Sequence, residues 1–289
     1  MTQVETTGAR SRPWRAAMAV GLVAALLPLM GCGSEGGSDA DGQAPADAIT
    51  DVPPIHVEQT VVVMQDGRPM REQLYRQAAA GCAQAVRQAP QFAFKPLSES
   101  EIAKVGRTYW TLWFHGKQSA ARYDTWDYTV GQGVRDGCVF SLTHKAGISL
   151  DDGEHRYQVD PLTGKTEEDS APSSGGRMKV DDDEQLTSQQ AKEGWQRPGE
   201  ATAAGQQCLQ WRSPDGTESC AWSGGRKWGF SPAEGSDQAT SYDPGRIVLW
   251  VKPANGTGGE LTTRSMTVGQ PFDDSVFKAP ADSGASGGS

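Results

Sequence analysis

Five cysteines, four histidines and 36 carboxylate side chains are the residues of this 289-residue chain with the broadest chemical repertoire. Four of the cysteines, Cys82, Cys138, Cys208 and Cys220, suit two disulfides in an exported protein, and four cysteines allow three pairings. One pairing has local support. The run "QQCLQWRSPDGTESCAWS" reads as a strand, a turn at Pro214-Asp215-Gly216 and a second strand. Folding it about Pro214 sets Cys208 against Cys220 within a residue or two, a bridge contributing about 3 kcal/mol through the unfolded chain. Cys82 with Cys138 then follows by elimination. Zinc is the competing chemistry, but no CxxC or other short ligand spacing is present.

The histidines are His56, His115, His144 and His155. Three fall in one strand-rich region with Glu154 nearby. A hydrolase acting on envelope material through Asp, Glu or His of residues 115–160 is therefore carried as an alternative. Its usual signatures are missing: no Gly-x-Ser-x-Gly elbow, no phosphate-binding glycine loop and no His-Glu-x-x-His. "DDDE" at Asp181 to Glu184 lacks the glycine and the closing glutamate of a calcium loop, and reads as a solvated charge run. No catalytic residue, metal site or cofactor is assigned, and the chain reads as a non-enzyme.

The fifth cysteine gives an address. Arg10, Arg12 and Arg15 precede an uncharged run from Ala16 to Met30. Fifteen residues are short of the roughly 20 that cross a bilayer and suit a signal peptide. The border Leu29-Met30-Gly31-Cys32 resembles the lipobox of bacterial lipoproteins, with Met30 a less usual occupant of its position. That resemblance implies a diacylglycerol on the Cys32 sulfur, removal of residues 1–31 as the signal peptide, and acylation of the new amino group. One acyl chain binds a bilayer only reversibly, whereas two or three hold. Gly33 in place of Asp after the cysteine favours, by the same resemblance, the periplasmic face of a Gram-negative outer membrane.

Residues 32–54 hold Gly, Ser, Ala and Asp and no aromatic residue. They read as a flexible tether spanning roughly 25 Å. Removing residues 1–31 takes away three arginines and one glutamate, moving the net charge from −9 to −11. Such a domain excludes nucleic acid as a partner, because phosphate contacts need Lys and Arg. It is also repelled by anionic lipid, so the expected membrane contact is the acylated Cys32 itself.

Residues 55–280 read as a β-rich globular domain, with a polar tail at 281–289. "IHVEQTVVVMQDG" suggests a strand ending at Asp66-Gly67. "RPMREQLYRQAAAGCAQAVRQAP" reads as a helix with an apolar stripe of Met70, Leu74, Ala78, Cys82 and Ala85, stopped by Pro90. Ser98-x-x-Glu101 has capping-box spacing. Strand-like runs follow, among them "TYWTLWFHG", "ARYDTWDYTV", "GCVFSLTHKAGISL" and "HRYQVDP". Residues 166–199 are acidic and irregular, either a long loop with a helix around "EQLTSQQAKEG" or a linker between lobes at 55–165 and 200–280. Strands resume with "QQCLQWRS", "ESCAWS", "RKWGFS", "RIVLWVK" and "LTTRSMTVG". The expected fold is mainly β (α+β): an antiparallel sheet, an incomplete barrel or half-barrel, with one or two covering helices.

In "TYWTLWFHG", Trp110, Leu112 and Phe114 share one strand face, and Tyr109 and Trp113 take the other. Both faces are partly apolar, unlike a sheet wet on one side. Trp126 with Tyr128, and Trp222 with Trp250, continue the pattern. The plain explanation is a sheet covered on both faces. The sharper one is a concave sheet receiving an apolar ligand, with Trp110, Phe114, Trp126, Tyr128, Trp222 and Trp250 as contacts. Residues 204–280, with Cys208, Cys220-Ala-Trp222 and the closing "VGQPFDDSVFKAP", resemble the end of LolA/LppX-like lipoprotein-carrier folds through Pro271, Asp274, Ser275, Phe277 and Pro280. That resemblance implies an incomplete barrel, a helical lid and an apolar cavity. The expected function is a lipid-anchored envelope protein binding an apolar ligand or a protein partner. A purely structural lipoprotein is a further alternative.

Overall fold

Alternating β-branched residues in "IHVEQTVVV" build the strand against which the first and last parts of the chain register. The computed structural model describes residues 49, 51–131, 136–170, 173, 180, 183–233 and 242–279. The signal-peptide expectation, residues 32–48 of the tether with Cys32, and Pro280 lie outside the described residues. The expected end of the tether is corrected: Val52 is 2% exposed in the core with Ile49 packed beside it, and its carbonyl accepts the Gly116 N–H at 2.8 Å. The strand, β1 (Ile55–Gln65), ends at Asp66-Gly67, both at positive φ (51° and 73°). This is the two-residue turn that an Asp-Gly pair favours, and it leads into β2 (Arg68–Pro69).

Helix α1 (Met70–Gln88) follows directly, then the one-turn α2 (Glu99–Ile102), whose Ser98–Glu101 capping box forms as the spacing predicts. Four strands come next: β3 (Arg107–His115), β4 (Gln118–Val130), β5 (Phe140–Asp151) and β6 (Arg156–Val159). The irregular segment supplies β7 (Thr166–Asp169), α3 (Asp183–Lys192) and β8 (Gln196–Ala203). The remaining strands are β9 (Gln206–Arg212), β10 (Glu218–Trp222), β11 (Val248–Lys252) and β12 (Gly258–Val268).

All twelve strands join one antiparallel sheet, in the order β7-β6-β5-β4-β3-β1-β12-β11-β10-β9-β8, with β2 beside β1. The sheet does not close into a barrel. β1 pairs with β3 on one side and with β12 on the other, so both halves of the chain share it. The open edges are blunted. β7 is "TEED", three charges on a four-residue strand, and β8 carries Pro198 within a register shift.

The two halves pack onto one core. Ile55, Val57, Leu112, Phe114 and Ala121 from the first half meet Cys208, Cys220, Trp222, Phe230 and Leu249 from the second. Gln59 is the polar exception. Buried at a bulge between β1 and β12, its amide donates to the Val248 carbonyl at 2.6 Å and to Thr263 Oγ1 at 3.1 Å. Its donors are thereby satisfied, as burial requires.

Two local expectations are corrected. The buried residue of α1 is Tyr75, one position from the expected stripe, and Leu74 is 39% exposed. Tyr75 wins because its ring fits edge-on to Tyr128 and Phe140 and its hydroxyl accepts the Leu97 N–H at 2.7 Å. "RKWGFS" is not a strand. Residues Arg226–Trp228 form a 3-10 turn closed by Gly229 at φ 77°, which brings Phe230 beneath Trp222.

Candidate functional site

The β1–β3–β4–β5 register sorts the aromatic residues onto two faces. Phe114, Leu112 and Trp110 align with Ile55, Val57 and Gln59 on the core face. Tyr109 and Trp113 lie on the opposite face, as the strand alternation predicts, together with Trp126, Tyr128 and His144. Two covers occupy the ends of this second face. At one end α1 and the α2 turn bury Tyr75, Leu97, Ile102 and Val105 against Phe140 and Tyr128. At the other, the closing segment "QPFDDSVFK" lays Phe272, Val276 and Phe277 on Ala120, Leu150 and Trp113. Between the covers runs a half-exposed band crossing β5, β4, β3, β1 and β12.

The six aromatic residues expected as ligand contacts divide accordingly. Phe114 and Trp222 are 0% and 1% exposed and both pack on Phe230. Trp110 is half-buried between Tyr123 at 5.4 Å and Tyr242 at 6.3 Å. Trp250 is half-buried beside Lys252 Nζ at 5.2 Å. Tyr128 is wedged between Tyr75 and the Arg71 guanidinium, 5.1 Å from its ring. Trp126 alone among the six occupies the middle of the band. The structure does not gather the six into one site.

Trp126 sits among polar side chains and another ring. The His144 ring stacks on it at 4.5 Å and 7°, and Lys104 Nζ lies 5.6 Å over it. Tyr109 meets it edge-on at 5.5 Å. Next to His144 lies Asp124. Its Oδ1 contacts His144 Nε2 at 2.9 Å and accepts Arg122 Nη2 at 3.0 Å, and its Oδ2 accepts Arg122 Nε at 2.8 Å. Burial pushes the Asp124 pKa up, but the hydrogen bonds from Arg122 and His144 outweigh it and hold the carboxyl below its ordinary value. The carboxylate joins His144 on β5 to Arg122 two residues along β4, and so clasps the two strands.

The other histidines are dispersed. His56 stacks on Trp113, His155 lies against Tyr157, and His115 bonds Asp274 at 3.1 Å while facing Phe272. Among the described residues no three His, Cys, Asp or Glu side chains converge as metal ligands. No helix among them is long and apolar enough to cross a membrane.

The cysteines pair as the hairpin argument and elimination require. Cys208 stands across from Trp222, and Cys220 across from Gln210, so the bridge runs diagonally over the β9–β10 ladder with 5.4 Å between Cα atoms. Cys82–Cys138 ties α1 to the segment before β5, with 5.5 Å between Cα atoms. Two disulfides fit an oxidising compartment. The His144–Trp126 stack and the Lys104 and Arg264 ring contacts had no signature in the sequence; they depend on cross-strand register. No known protein family matches the chain, and no curated protein is significantly similar to it.

Proposed function

We propose that this protein is a non-enzymatic lipoprotein, held to the cell envelope by acylated Cys32, that presents the open band of its sheet to a protein partner. If the organism is Gram-negative, the domain sits at the periplasmic face of the outer membrane. The carrying observation is the division of aromatic residues. Those at the heart of the sheet, Phe114 and Trp222, are consumed as core, while Trp126 and Tyr109 stay half-exposed on a strip that neither α1 nor the closing segment covers. That division favours a surface contact over an apolar ligand held inside. Half-exposed aromatic residues rimmed by charge are the usual composition of a protein-binding patch.

Fractionation tests it. The native protein is expected in the membrane fraction, and the Cys32→Ser variant in the soluble fraction. A native protein recovered wholly soluble, or a serine variant still bound to membranes, would overturn the reading.

A further inference from the structure

Helix α1 is fastened unevenly. Its first turns carry ion pairs: Arg71 with Asp127, Arg76 with Glu72 and Glu99, and Glu72 with Arg107. They also carry Tyr75, the buried residue of the helix. Residues 77–88 reach the sheet through the small side chains Ala78, Ala79 and Cys82, at the margin of the cluster that holds Phe140. Among the described residues no ion pair holds this distal half, and its firm link is the bridge from Cys82 to Cys138. Gly81 stands beside that bridge. It is exposed, its φ is not positive, and an added Cβ would meet nothing within 4 Å. Neither backbone nor packing demands a glycine there, and its effect is to weaken the helix that it interrupts. A detached segment as short as residues 77–88 is marginal as a helix in water. The distal half therefore keeps its place and its shape through one covalent link.

The ladder shows what lies beneath. β4 and β5 align Trp126 with His144, Tyr128 with Leu142, and Val130 with Phe140, all on one face. The first pair belongs to the open band. The last lies in the cluster under α1, where Phe140 is 1% exposed. Lifting the distal half of α1 extends the band along the same two strands. The bridge that prevents this is half-buried, within reach of a thiolate in the native state. Resting on the reading of the band as a partner surface, we propose that Cys82–Cys138 is a redox latch on that surface, opened by an envelope dithiol protein of the Cys-x-x-Cys class. One thiolate of the dithiol attacks a sulfur of the bridge, forming a mixed disulfide and releasing the other cysteine as a thiolate. The second thiolate of the dithiol then displaces the remaining cysteine and closes the reductant's own disulfide. Two electrons pass to the bridge, and the two protons given up by the dithiol balance those that the cysteines take up. Residues 77–88 then unravel and add Val130, Leu142 and the adjoining side of Phe140 to the band. Tyr75 and the ion pairs keep the first turns of α1 in place.

The test uses the full acylated protein in detergent, with thioredoxin as the dithiol and peptide mass mapping to follow both bridges. Hydrogen exchange is read before and after Cys82–Cys138 opens. Amides of residues 78–88 are expected to exchange at least about tenfold faster after reduction, and those of residues 74–76 and of the β4–β5 ladder to stay within about twofold. A Cys82→Ala/Cys138→Ala variant should match the reduced protein. Gly81→Ala should slow the exchange of the reduced helix about fivefold through helix propensity, with a smaller effect while the bridge is intact. Hydroxyl-radical labelling of Val130 and Leu142 should be higher in the double variant than in the oxidised protein, with Trp126 labelled equally in both. The proposal would be overturned by a Cys82–Cys138 bridge that thioredoxin leaves closed, or by exchange over residues 78–88 that is unchanged in the reduced protein and the double variant. Exchange rising across the whole sheet, or a Gly81→Ala variant whose reduced helix exchanges as fast as the parent's, would also overturn it. Trp126 and Tyr109 shielded from the radical in the oxidised protein would instead sink the band reading on which the proposal rests. The acyl mass read from the same sample tests the lipoprotein reading separately.

Discussion

Reducing the native protein with dithiothreitol should open its two disulfides in a fixed order. Cys82 and Cys138 are half-buried, at the side of α1 and in the segment before β5. Cys208 and Cys220 are 0% exposed and sit in the core among Ile55, Phe114 and Trp222. A thiolate must reach sulfur to attack it. The first bridge is open to attack from the native state, whereas the second must wait until β9 and β10 separate from the core. While Cys82–Cys138 is intact, an opening that costs even about 5 kcal/mol, the low end of a domain's stability, makes the initial attack on the second bridge slower by about a thousandfold, a margin that narrows once the first bridge is open. The order runs against the entropic contribution. With sequence separations of 56 and 12, loop closure assigns about 4 kcal/mol to Cys82–Cys138 and about 3 kcal/mol to Cys208–Cys220. The more stabilising staple is therefore the more reducible one. Timed quenching with iodoacetamide and peptide mass mapping reads both bridges in one experiment. Initial rates of cleavage within tenfold of each other, measured while most Cys82–Cys138 is still oxidised, or cleavage of Cys208–Cys220 first, would refute the reasoning.

Other residues give equally definite expectations. Phe114→Ala should cost about 3–5 kcal/mol in a urea titration, because the ring is fully buried against Phe230, while Trp126→Ala on the band should cost far less. Gly225→Ala should destabilise by about 1–3 kcal/mol: the new Cβ would lie 2.4 Å from the Trp222 ring and 2.9 Å from the Phe230 Cβ, both immobile in the core. Tyr75→Phe leaves the Leu97 N–H without its acceptor and should cost about 1–3 kcal/mol. Asp124 is more acidic in the folded chain than in the unfolded one. Its contribution is thus present above the unfolded carboxylate value, about 3.9, and lost as pH falls through the lower folded value. The acid limb of stability should be shallower in Asp124→Asn, as followed by urea midpoints from about pH 5 downward.

Much of the fold was legible because it is local. Strand alternation placed Trp110, Leu112 and Phe114 on one face, the Asp66-Gly67 pair ended β1, and the Pro214 turn aligned Cys208 with Cys220. The sheet's organising contact was not legible. β1 pairs with β12 some two hundred positions away, as in Ile55 with Val268, and nothing local encodes that choice. The helix stripe was displaced by one residue because Tyr75 combines an apolar ring with a hydroxyl that finds a partner, which periodicity does not weigh. Gly224-Gly225 just before "RKWGFS" and Gly229 within it outweighed its aromatic character. The band at Trp126 was invisible for a related reason: its neighbours His144, Lys104 and Arg264 come from three separate stretches that only the ladder brings together.

The central claim is covalent attachment of lipid to one sulfur, and intact mass spectrometry of the protein extracted from native membranes tests it most directly. The account predicts a chain beginning at Cys32, carrying diacylglycerol with or without an added amide-linked acyl chain, and four further cysteines present as two disulfides. A chain beginning at any other residue, or a Cys32 of unmodified mass, would contradict it.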